Sequence, residues 1–251
     1  PAIGFVNGKK LVDKNGSLIS FQVKILNSWL DHGFELGNHT FSHPDYNKQF
    51  LADYESEIIK NELVLKEILE EKGKSLRYFR HPYLHVGNNK EKADSLDVFL
   101  FEHKYTIAPV TIDNDDYLFA VAYKNASIKN DTVLMQKIRN DFVEYISKKT
   151  DYYEKQSIAL FDRNIPQILL LHSSLLNSDC VGLLAAMFAN KQYEFISMDE
   201  VLKDRAYQIP ITVYGEWGIS WLDKWALSLG KKGEFFKDEP TTPEYIKALS
   251  K

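Results

Sequence analysis

Short apolar runs alternate along the chain with longer stretches in which apolar residues return every three or four positions. Residues 2–6 predict a strand closed by Asn7-Gly8. Ile19, Val23, Leu26 and Leu30 then fall on one helical face that stops near Gly33, a residue suited to the position after a helix. Residues 34–36 predict a brief strand, followed by a polar loop over 37–47. Residues 50–69 predict a long amphipathic helix (Leu51, Tyr54, Ile58, Leu65, Ile68, Leu69) ended by Gly73. Further strands are expected at 76–79, 105–112, 168–171 and 193–196, and helices at 95–103 and 180–190. Ser197-Met-Asp-Glu200 is a capping box that opens another helix. Six β-α repeats of this kind predict an α/β fold with parallel strands and helices outside, as a barrel or an open doubly wound sheet. No G-x-G-x-x-G or Walker A pattern supports a nucleotide-binding sheet.

Two regions depart from the repeat, and the whole of 1–251 reads as one domain around them. A helical pattern over about 131–164 (Val133, Ile138, Phe142, Ile146, Tyr152, Tyr153) is expected as an insertion. After Ile211 comes a C-terminal extension, about 211–251, in which Trp217, Trp221 and Trp225 recur at four-residue spacing. That spacing suits either an aromatic platform for sugar rings or a helix face packed on the body of the protein, and the packed face is the commoner outcome.

Composition narrows the classes. A net charge of −4 provides no global field for nucleic acid or an anionic bilayer. No apolar run approaches bilayer length. The single cysteine, Cys180, excludes an intrachain disulfide and a four-cysteine zinc site; its apolar surroundings predict a buried small hydrophobe.

The candidate chemistry starts in the polar loop. Gly37-Asn38-His39-Thr40-Phe41-Ser42-His43-Pro44 places two histidines four apart on one turn, within reach of a common cation. Thr40 stands where H-E-x-x-H needs glutamate and Pro44 forbids a continuing helix, so this is a turn at a strand end. Arg80, Asp113 and His172 likewise each follow an apolar strand run. In a parallel α/β barrel such ends converge on one face, where catalytic groups collect.

With those residues the sequence resembles the polysaccharide deacetylase family of carbohydrate esterases. Asn-His39-Thr-Phe-Ser-His43 resembles its histidine metal motif and Arg80-His-Pro82-Tyr83 its Arg-x-Pro-Tyr motif. Asp113-Asn-Asp-Asp116-Tyr117 is similar to its Asp-x-x-Asp-Trp motif, and Leu-Leu-Leu-His172 to its Leu-x-His motif. The resemblance implies a distorted (β/α)7 barrel and metal-dependent removal of acetyl groups, N- or O-linked, from a polysaccharide or oligosaccharide. It implies that His39 and His43 bind a divalent metal, Zn2+ before Co2+, Ni2+ or Mn2+. The backbone N–H of Tyr83, beside Pro82 at the substrate, would hold the oxyanion. Arg80 would orient the catalytic base, and His172 would be the general acid with Asp113 as its electrostatic partner. An acetylated glycan is the implied partner, a secreted or periplasmic location the implied setting, and the oligomeric state stays open.

The family's Thr-Phe-Asp-Asp motif, source of the base and a third metal ligand, has no counterpart in the sequence. The chain is therefore expected to lack the first strand and to be almost inactive as given. Hydrolysis of another C–N bond on the same barrel, or glycan binding without turnover, are the rival expectations.

Overall fold

The first apolar runs become a parallel sheet because each is followed by a helix that can cover it. Strand β1 (Ile3–Val6), helix α1 (Ser20–Asp31) and strand β2 (Glu35–Asn38) make the first β-α-β unit. Helix α2 (Leu51–Glu70), strand β3 (Tyr78–Phe79), helix α3 (Lys90–Glu102) and strand β4 (Thr106–Ile107) continue it. All pairings are parallel in the order β1-β2-β3-β4, with Val6 beside Asn38, Asn38 beside Phe79, and Phe79 beside Ile107. A computed structural model describes residues 1–251 as two compact units, the first being Pro1–Pro109 with Ile211–Ile219 and the second Val110–Pro210 with Ser220–Lys251.

In the first unit the buried stripe of α2 serves two clusters. Leu65, Ile68 and Leu69 pack with Leu11, Leu30 and Leu36, while Tyr54 and Ile58 pack with Tyr46, Phe79, Leu96 and Leu100. Helix α3 begins five residues earlier than its apolar pattern predicts, because the Asn89 side chain accepts from the Lys92 N–H and caps it.

The second unit is mostly helical. Helix α4 (Asp116–Ile128), α5 (Thr132–Phe161), α6 (Leu175–Asn190) and α9 (Glu244–Leu249) bury Phe119, Phe142, Ile146, Leu176, Cys180 and Ile246 in one cluster. Short helices α7 (Met198–Val201) and α8 (Trp221–Ser228) complete it. The pattern over 131–164 is thus a single 30-residue helix, capped by the Asp131 side chain. The expected capping box also forms in part, with Ser197 accepting from the Glu200 N–H.

The α/β class with parallel strands holds. The strand inventory needs correction. The run 105–112 forms a ladder only at Thr106–Ile107, since Pro109 has no N–H to continue it. Ile112 and Leu169 make a lone parallel bridge, which is all that remains of the strand expected at 168–171. The stretch 193–196 pairs with no strand. Its Tyr193 and Phe195 rings lie instead against Phe188 of α6, at 5.5 and 6.2 Å. No helix is long and apolar enough to cross a membrane.

Candidate active site

The histidine turn leaves β2 at its C-terminal end, and a set of buried amides builds it. Asn38, fully buried, donates to the Ile58 carbonyl at 3.0 Å and to the Tyr105 hydroxyl at 2.8 Å. Its Oδ1 accepts from the Thr40 N–H at 3.0 Å and from Asn61 at 2.8 Å. Asn61 in turn takes the Gly8 N–H at 2.6 Å and donates to the Val6 carbonyl at 2.8 Å. Asn7 donates to the carbonyls of His39 and Thr40 at 2.6 and 3.2 Å. Glu57 of α2 closes the turn from above, its carboxylate accepting from the Ser42 N–H at 2.6 Å. Thr40 and His43 are held at φ of +63°. Such left-handed backbone costs a non-glycine residue about 1–3 kcal/mol and persists only where its surroundings over-determine it.

The turn brings the two histidines together. Their ring centroids are 4.8 Å apart at an interplanar angle of 75°. The His39 Nδ1–H donates to the Arg80 carbonyl at 2.7 Å, which fixes the tautomer and leaves Nε2 with its lone pair. A metal-binding histidine is oriented by the same kind of bond to a backbone carbonyl. Two imidazoles on one tetrahedral zinc, at Zn–N of about 2.0–2.1 Å, place their centroids about 5 Å apart. The pair therefore fits a divalent ion. A catalytic zinc takes about three protein ligands, however, and no group of three or more His, Cys, Asp or Glu side chains is arranged to hold a metal. The residues supply a two-histidine half-site.

Strand β3 delivers the second segment. Arg80 is buried; its Nε donates to the Ala108 carbonyl at 2.6 Å and its Nη2 to Pro109 at 3.3 Å. The guanidinium also lies over the Phe5 ring, 4.4 Å from the centroid. Pro82 is buried, and after it Tyr83 and Leu84 both take left-handed backbone, at φ of +56° and +55°. The Tyr83 ring, 55% exposed, stands edge-on to His43 at 4.6 Å. His85 follows, its Nδ1–H donating to Asp45 at 2.6 Å. Burial pulls the Asp45 carboxyl up, but the bond and charge of His85, helped by the Asn47 N–H and Lys48, hold it below its ordinary value. His39, His43, Arg80, Pro82 and Tyr83 are thus neighbours within one unit.

In the second unit His172 is half-exposed, and a buried carboxylate orients it. That carboxylate is Asp116, not Asp113 as the motif order suggests. Asp116 Oδ1 accepts from His172 Nδ1–H at 2.6 Å, and Oδ2 accepts from the His172 N–H at 2.7 Å and from Asn177 at 2.6 Å. The physical reason is helical. Asp116 is the first residue of α4, where a carboxylate is favoured by the unpaired N–H groups and by the helix dipole. Its own N–H is taken by Asn114, whose amide donates to the Leu170 carbonyl at 2.7 Å and so ties the helix start to the segment carrying His172.

Asp113 faces elsewhere in the same unit. It lines a polar cavity of about 240 Å³ with Lys149, Glu239, Thr242 and Lys247. Burial pushes its carboxyl up to about 6 against the pull of Lys149 and Lys224. Burial likewise drags the Lys224 ammonium down to about 7, with Asp113 and Asp223 opposing. Asn61, Glu57 and Asn177 went unmarked in the sequence, because lone amides and a helix glutamate carry no spacing signal.

A parallel sheet with polar turns at its C-terminal ends defines the class as an α/β fold of the kind that carries enzyme sites on such turns. Residues 1–98, which carry the histidine and Arg80-Tyr83 segments, match the family model described as polysaccharide deacetylase. The match covers less than half of the chain, and the segments at Asp113 and His172 lie beyond it. No curated protein matches the chain. Among solved structures, a CE4 family pseudoenzyme from Bacillus anthracis is similar at 13% identity, covering 80% of this chain and 54% of that one, with a TM-score of 0.47. The chain thus spans about half the length of that protein. The peptidoglycan deacetylase PdaC from Bacillus subtilis is similar at 18% identity, covering 82% and 79%, with a TM-score of 0.49. A family 4 carbohydrate esterase from Streptomyces lividans, in complex with acetate, is similar at 17% identity, covering 79% and 80%, with a TM-score of 0.47.

Proposed function

We propose that the protein is a carbohydrate deacetylase, a hydrolase that removes N- or O-linked acetyl groups from a polysaccharide or oligosaccharide. The observation that carries this reading is the paired His39–His43 turn with His39 Nδ1 committed to the Arg80 carbonyl, beside the left-handed turn at Tyr83. A divalent ion on the two histidines, zinc before cobalt, nickel or manganese, would polarise the acetyl carbonyl. His39 and His43 would hold that ion through imidazole nitrogens. The Tyr83 N–H donates to the acetyl oxygen as negative charge develops there. Arg80, packed on Phe5 and bonded to two carbonyls, holds the base of the turn rigid. In the second unit, His172, held at Nδ1 by the buried Asp116 carboxylate, has the character of a general acid.

The half-site of two histidines favours one second reading, a relative that binds glycan without turnover. Both are separated by acetate release from N-acetylated chitohexaose and acetylated xylan, measured with each divalent ion in turn. The expected result is ion-dependent release that falls at least about 100-fold in His39→Ala. Saturable glycan binding with no acetate released assigns the protein to the binding reading. Turnover of a small cyclic amide, with none of the glycans, makes it a hydrolase of another C–N bond.

A further inference from the structure

The three tryptophans at four-residue spacing do not share one fate. Trp221 and Trp225 lie on α8 and are buried, at 6% and 1% exposure, as a packed helix face requires. Trp217 precedes that helix, within the segment of the first unit at Ile211–Ile219, and is 42% exposed. A lone exposed aromatic is ordinary on a protein surface. Trp217 differs in being seated.

A Cβ on Gly215 would lie 2.0 to 2.4 Å from the Cζ3, Cη2 and Cε3 atoms of Trp217, so the six-membered ring rests directly on glycine backbone. Any other residue at 215 would lift the indole off. The flanks are pinned as well. Asn88 donates to the Glu216 carboxylate at 2.6 Å, and Asn47 to the Gly215 carbonyl at 3.4 Å. One residue beyond the indole, Gly218 sits so close to the Tyr83 turn that a Cβ there would fall 1.7 Å from the Tyr83 carbonyl oxygen and 3.0 Å from His85 Cδ2. The short segment that carries the indole is therefore pressed onto the turn whose Tyr83 ring is also exposed.

We propose that Trp217 is a sugar-stacking platform beside the Tyr83 turn, receiving the apolar C–H face of a pyranose unit next to the one acted upon. An indole is the largest apolar face a side chain offers, and its polarised π-surface attracts the weakly positive C–H bonds of a sugar ring. Its seating removes most of the ordering cost that a free side chain would meet on binding. The class of ligand rests on the deacetylase reading; the platform itself rests on the seating of the indole.

The test uses the full chain with Trp217→Ala and Trp217→Phe, and N-acetylated chitohexaose and acetylated xylohexaose as probes. In the wild type the hexamer should shield tryptophan fluorescence from acrylamide quenching. Trp217→Ala should abolish the shielding and raise KM for the hexamer about tenfold, the loss of about one aromatic contact, with kcat and turnover of an acetylated monosaccharide unchanged. Trp217→Phe should restore most of the affinity. Equal losses on hexamer and monosaccharide, unaltered hexamer binding in Trp217→Ala, or no binding of either hexamer by the wild type would each overturn the platform. Hexamer binding that depends on Trp217 in a protein releasing no acetate would keep the platform and remove the deacetylase reading.

Discussion

His39 has one ring nitrogen committed to a backbone carbonyl and its ring beside that of His43, so its orientation is decided by a main-chain atom of Arg80. His172 is decided in the same way by Asp116. The sequence makes both histidines visible, because histidines at strand ends and in short motifs stand out. It does not show which carboxylate serves His172, since Asp113 and Asp116 occupy one motif and only the start of α4 separates their environments. Asp113 also carries a pH signature of its own. Its folded carboxyl titrates near about 6, above the ordinary unfolded value, so the folded chain binds that proton more tightly. The stability this contributes is full below about pH 4 and is lost as the pH rises through about 6. In Asp113→Asn that loss should vanish, leaving the variant more stable than the wild type at about pH 8 by about 2–3 kcal/mol and equal to it at about pH 4. Urea unfolding at the two pH values reads this, and a gap of the same size at both would refute it.

At the scale of elements, α2 is both a wall of the core and the scaffold of the histidine turn. Its buried face was legible from Tyr54, Ile58, Leu65, Ile68 and Leu69, which recur at helical spacing. What it does for the turn was not, because that work falls to Glu57 and Asn61, polar residues with no periodic mark. Asn61→Leu keeps the volume and removes the amide, leaving the Gly8 N–H, the Val6 carbonyl and the Asn38 Oδ1 each without their partner. The expected cost is about 3 kcal/mol or more, seen in a urea or thermal melt; a cost below about 1 kcal/mol would show that the amides do not set the turn. Helix α4 escaped the pattern for the opposite reason. It buries Phe119, Ala122, Tyr123 and Ala126 yet leaves Tyr117, Val121 and Ile128 exposed, so apolar residues run all round it and no face stands out. The strands were legible only as apolar runs. Two-residue ladders such as β3 and β4 are set by where neighbours can pair, which Pro109 and the lone Ile112–Leu169 bridge decide.

Over the whole molecule, the residues after Ile211 are built into both units. Ile211–Ile219 belongs to the first, while Trp225 and Ile246 are almost fully buried in the second. Thr242 donates to the Asp115 carboxylate at 2.7 Å, and Lys149 pairs with Glu239. A chain ending at Pro210 should therefore lose its cooperative thermal transition, since removing several buried side chains of this size costs about 2–5 kcal/mol each against a total stability of about 5–15. Circular dichroism of the truncated chain checks this. A sharp transition within about 5 °C of the full chain would show that the tail is dispensable.

The assignment of Ile211–Ile219 to the first unit also sets an order of events during synthesis. The ribosome finishes Pro109 and then makes the whole of Val110–Pro210 before it supplies the segment that lies on the Tyr83 turn. At about 5–20 residues per second, those roughly 100 residues take about 5–20 s. For that interval the nascent histidine turn has its strands and helices but not the glycine backbone that closes over Tyr83. The first unit is begun first and completed late, so a stall anywhere in the second leaves both unfinished.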